Sequence, residues 1–179
     1  MKLRSALTAL TLLAAPAAVV LGGATGAIAA PSTAPSNGAA AVAVTKISHA
    51  TATSMFSRSG ITWSSSGGCS DRDNPTCTSF TQLNLATAEG AQTLKSATGC
   101  ALNITGGTET GHASGTYSHW NGYKLDYAKS TCVTNYIKNT FTYIGPRGDG
   151  ALQYQSGSGN IYADEGNHWD VLYYNCGGC

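Results

Sequence analysis

Residues 79–99 read SFTQLNLATAEGAQTLKSATG. Ser79 and Gln82 match a capping-box pattern. Phe80, Leu83, Ala86, Leu94 and Ala97 then recur at helical steps, and Gly99 stands where a helix would stop. The spacing predicts a helix over 80–98, with Gly90 in its interior. The period changes at once afterwards. CALNITGG at 100–107 alternates apolar and polar positions and ends in glycines, as a strand entering a turn does. Beyond a polar loop at 108–121, YKLDYAK at 123–129 reads as a strand with Asp126 in its middle. TCVTNYIKNTF at 131–141 fits a short helix with Cys132, Tyr136 and Ile137 inward. TYIG and ALQYQ are strands around the turn PRGDG, and GNHWDVLYY at 166–174 is a last strand. A helix followed mostly by non-crossover strands predicts an α+β fold: a small antiparallel sheet with helices packed on one side.

The flanking sequence sets the compartment. MKLRSALTALTLLAAPAAVVLGGATGAIAA at 1–30 has Lys2 and Arg4, a long apolar run and then small residues, the pattern of a cleaved secretory signal peptide. Residues 31–52 are mostly small, polar and Pro/Ala-rich and read as a flexible leader. The domain is then expected over 53–179, of a size that supports one core. Without Lys2 and Arg4 the chain is near neutral, which argues against nucleic acid as a partner. No later segment is apolar enough to hold a membrane, and a secreted, extracellular monomer is expected. All six cysteines lie after the signal, as in the disulfide frameworks of exported domains. Sequence order suggests Cys69–Cys77, Cys100–Cys132 and Cys176–Cys179.

The chemistry is expected where histidines meet carboxylates. Glu109 precedes His112, His119 precedes Asp126, and Glu165 precedes His168. A catalytic zinc needs three protein ligands and one open position. His119, Asp126 and His168 can supply the three, with Gly122 letting the chain turn back between the first pair. Asp is disfavoured inside a strand, and its charge there needs a partner. Glu165 is placed to act as general base on a metal-activated water. Asp170 falls on the same strand face as His168 and is a candidate to orient a ligand. Glu109-x-x-His112 repeats the Glu-x-x-His spacing within a glycine-rich loop.

These elements, SHWNGYKLD at 118–126 and EGNHW at 165–169, resemble the Ser-x-His-x-x-Gly-x-Ala-x-Asp and Glu-x-x-His signatures of the D-alanyl-D-alanine carboxypeptidase family of zinc peptidases. The resemblance covers the later half of the domain. It implies an α+β fold, zinc held by His119, Asp126 and His168, Glu165 as base, and peptidoglycan stem peptides as substrate. The chain departs from that pattern in three places. Serine stands immediately before the histidine, as Ser118, while Tyr117 occupies the family's serine position; Lys124 replaces the small Ala; and TGGTETG at 105–111 lacks the family's upstream arginine. Ser118 is a candidate support for the ligands. Arg147 and His112 are candidate substrate contacts in place of the missing arginine. Two other classes compete: a non-catalytic zinc- or wall-binding module of the same fold, and a disulfide-stapled structural or inhibitory protein without metal.

Overall fold

The computed structural model describes residues 44–174. The proposed signal peptide and the Cys176–Cys179 pair lie outside them. In chain order the elements are β1 (Lys46–Ile47), α1 (His49–Arg58), β2 (Thr62–Trp63), β3 (Leu83–Asn84), α2 (Leu85–Thr98) and β4 (Asn103–Gly106), followed by β5 (Lys124–Ala128), α3 (Thr131–Thr140), β6 (Thr142–Pro146), β7 (Leu152–Gln155), β8 (Ile161–Asp164) and β9 (His168–Leu172). The α+β expectation holds, but the sheet is larger than expected. It has seven strands in the order β2-β4-β5-β9-β8-β7-β6, and a two-stranded ladder pairs β1 with β3. All neighbours in the large sheet are antiparallel except β2 and β4. That parallel pair needs a crossover, and α2 lies within it.

Helix α2 ends as predicted, with Gly99 left-handed at its C-cap, but begins at Leu85. The capping box does not form: Gln82 has φ of 64°, which breaks the helix before it starts, and Asn84 is the N-cap. Gly90 is tolerated because a Cβ there would lie 2.4 Å from the buried Tyr173 ring. In α3, Val133 and Ile137 form the buried face, with the Cys132 position exposed and Tyr136 half-buried. The folded part also starts earlier than the expected leader boundary at 52. Ser48 caps α1 by accepting the Thr51 N–H, and α1 buries Ala52, Met55 and Phe56.

The three helices meet one face of the sheet. Ala52, Phe56, Ala91, Leu94, Val133 and Ile137 share a core cluster with Ile104, Leu125, Tyr127, Tyr162, Trp169 and Val171. Because side chains alternate along a strand, the residues between these strand positions point to the opposite face. Asp126 lies between Leu125 and Tyr127, and Asp170 between Trp169 and Val171. Two of the expected disulfides are present, Cys69–Cys77 and Cys100–Cys132, as suits an oxidising compartment. Among the described residues no helix is long and apolar enough to cross a membrane.

Candidate metal centre

The pairing of β5 with β9 builds the floor of the site. Asp126 stands opposite Asp170, and Ala128 opposite His168, so both aspartates and the histidine share the face turned away from the core. β4 makes room: a Cβ on Gly106 would lie 2.4 Å from Asp126 Oδ2. His119 arrives from the preceding loop through a tight turn, in which Gly122 N–H donates to the His119 carbonyl at 2.7 Å. Gly122 has φ of 74°, and a side chain there would meet the Gln82 carbonyl at 2.5 Å. Only glycine fits both the conformation and the gap.

Each of three histidines has one nitrogen tied to an oxygen and one facing the cleft. His119 Nδ1–H donates to the Gly107 carbonyl at 2.7 Å. Its Nε2 lies 3.3 Å from Asp126 Oδ1 and 3.5 Å from Asp170 Oδ1. His168 Nδ1 pairs with Asn167 Oδ1 at 2.7 Å, and its Nε2 lies 3.7 Å from Asp126 Oδ1. His112 Nε2 pairs with Glu109 Oε1 at 3.2 Å, and its Nδ1 lies 3.7 Å from Asp126 Oδ2. One ligand atom from each of His112, His119 and Asp126 falls within 4.8 Å of the others, a group that could hold a metal ion.

Asp126 and Asp170 are only 6% and 5% exposed. Their Oδ1 atoms are buried without a hydrogen-bond partner among the described residues, although such groups are nearly always paired. A cation between them and the histidines resolves that conflict, so the donor set fits a metal. With no metal bound, a proton takes the part. Burial opposes charge on His119, but Asp126 and Asp170 outweigh it and push its pKa up to about 10. Burial likewise raises the Asp170 carboxyl, but His119 and Lys124 pull it well below the usual carboxylate range.

The rim of the cleft is ionic, and the cleft encloses about 470 Å³. Arg147, from the turn between β6 and β7, donates to Asp170 Oδ2 at 2.8 Å, to Asp149 Oδ2 at 2.6 Å, and to Glu165 Oε1. Glu165 Oε2 lies 3.3 Å from His168 Nε2. Lys124 Nζ donates to Asp170 Oδ2 at 2.6 Å.

The sequence-predicted His119, Asp126, His168, Glu165, Asp170, Arg147 and His112 all line this cleft. Ser118 does not. It is buried, its Oγ accepts the Asn121 N–H at 3.2 Å, and it lines a neighbouring cavity with Glu109 and Trp120. Of the neighbouring tryptophans, Trp169 sits in the core on the other sheet face, and Trp120 is exposed with the Arg72 guanidinium 3.7 Å from its ring centroid. Two contributors were not assigned a role from sequence. Lys124 stands where the resembling family has a small residue. Glu109 is 2% exposed and accepts the N–H groups of Ser79 and Gly107; its only sequence signal is the repeated Glu-x-x-His spacing. Burial raises the Glu109 carboxyl, but His112 and the two backbone donors outweigh it and lower its pKa.

Comparison of the chain with family models, curated proteins and solved structures returned no match.

Proposed function

We propose that the chain is a secreted zinc peptidase that hydrolyses peptide bonds of bacterial peptidoglycan. One observation carries the metal part of this reading. Two buried aspartate oxygens have no hydrogen-bond partner among the described residues, and both face the His119 nitrogen whose opposite nitrogen is already tied down. The two sequence signatures, at 118–126 and 165–169, carry the choice of peptidase and substrate. His119, Asp126 and His168 would hold the ion, a mixed nitrogen and oxygen set that suits zinc. Bound zinc supplies a Lewis acid that polarises a carbonyl and brings water toward a neutral pKa. Glu165 takes the proton from the attacking water through Oε2 and delivers it to the leaving amine. Arg147 holds Oε1 of the same carboxylate, fixing its aim, and places a positive charge at the cleft where charge develops on the substrate oxygen. Such a donor typically contributes about 3–4 kcal/mol. Every residue in this account comes from one chain, so a monomer suffices.

A second reading has support of its own. Both Glu165 oxygens have partners, in Arg147 and His168, and the upstream arginine is absent. These observations favour a zinc- or wall-binding module without turnover. Incubation with purified peptidoglycan, followed by mass analysis of released fragments, separates the two. A peptidase releases fragments, stops with a chelator, and in Glu165→Gln keeps its zinc while losing release. A binding module retains zinc and releases nothing in either form.

A further inference from the structure

Two Glu-x-x-His elements face each other across Asp126. Their histidines approach different oxygens of its carboxylate at the same distance: His168 Nε2 lies 3.7 Å from Oδ1, and His112 Nδ1 lies 3.7 Å from Oδ2. The glutamates differ in what they touch. Glu165 approaches the same His168 nitrogen that faces Asp126. Glu109 approaches the opposite nitrogen of His112, leaving Nδ1 as the atom presented to the cleft. Glu109 is itself fixed, since Ser79 N–H donates to it at 2.7 Å and Gly107 N–H at 3.0 Å. A buried carboxylate on the far nitrogen of an imidazole is the arrangement that orients metal-ligating histidines.

The His112 ring also stacks on His119, with centroids 3.8 Å apart and planes 14° from parallel. On a tetrahedral zinc with bonds of about 2.0–2.1 Å, ligand atoms stand about 3.3 Å apart. The separations from Asp126 are 3.3 to 3.7 Å, and ligand atoms of His112, His119 and Asp126 lie within 4.8 Å of one another. To share one ion the two stacked rings must turn toward each other and His168 must move inward.

We propose that His112 is a ligand of the same metal ion, oriented by Glu109, so that the ion sits among His112, His119, His168 and Asp126. This rests on the reading that the cleft holds a divalent metal. It changes what the centre does at rest. Three protein ligands leave a place for water, whereas four close it, and a peptide carbonyl then enters only by expanding the coordination or displacing His112.

The competing role for His112 is stacking alone. Two variants separate the roles: His112→Ala removes ring and nitrogen, while His112→Phe keeps an aromatic ring against His119 and removes the nitrogen. Zinc affinity is measured by chelator competition, and the visible absorption of the Co(II)-loaded chain reports the ligand set. Both variants are expected to lose more than about tenfold in zinc affinity and to change the Co(II) spectrum. Glu109→Gln is expected to lose about 10–100-fold. Parent-like affinity and spectrum in His112→Phe would overturn the proposal and leave the three-ligand peptidase reading standing. A parent chain that takes up neither zinc nor cobalt would overturn both.

Discussion

His119 is buried between two aspartates, and its protonation ties the site to stability. In the chain stripped of metal its pKa is pushed from 6.5 up to about 10. A raised pKa means that the folded state holds the proton more tightly than the unfolded state. The stabilisation is therefore complete below pH 6.5 and is lost as pH rises through about 10. Thermal melts in excess chelator should show a falling Tm across that window, with a much flatter profile in His119→Gln. Metal uptake near neutral pH should release a proton, because a ligating imidazole must be neutral. Calorimetry in two buffers of different ionisation enthalpy reads that release directly. Asp126 depends on a single missing methyl group in the same way. In Gly106→Ala the new Cβ would lie 2.4 Å from Asp126 Oδ2, so the carboxylate must move. The variant should lose most of its zinc affinity while its circular dichroism stays close to that of the parent.

At the scale of elements, the β5–β9 ladder does most to assemble the site. Its alternation was legible in sequence: Leu125 and Tyr127 around Asp126, and Trp169 and Val171 around Asp170, give one apolar face and one ligand face. The stop of α2 at Gly99 was equally legible, since a left-handed cap requires a special residue. The start of α2 was not, because it depends on the positive φ of Gln82, which the backbone adopts only in its tertiary setting. Helix α1, HATATSMFSR, carries few apolar residues and buries only Ala52, Met55 and Phe56, so its periodicity is faint. In the site, histidine and carboxylate spacing revealed most of the lining, whereas Glu109 and Lys124 depend on loop path and strand register. The disulfides act between elements: Cys100–Cys132, with a separation of 32 residues, joins the end of α2 to the start of α3, while Cys69–Cys77 spans 8. Chain entropy predicts losses of about 3.7 and about 2.6 kcal/mol on their removal. Denaturant unfolding of the two Cys→Ser double variants should rank them in that order.

At the scale of the whole molecule, a nearly neutral chain concentrates charge in one place. Among the described residues lining the cleft, Asp126, Asp149, Glu165 and Asp170 face Lys124 and Arg147 as permanent cations. A divalent ion restores the balance there, and an ion that binds only the folded state stabilises it by mass action, by about 2.7 kcal/mol at a hundredfold excess over Kd. The most direct test is therefore elemental analysis of the purified chain dialysed against zinc, paired with its thermal melt. The expected result is one zinc per chain and a raised Tm, both abolished by Asp126→Asn. A chain that retains no metal and melts at the same temperature with and without zinc would contradict the account.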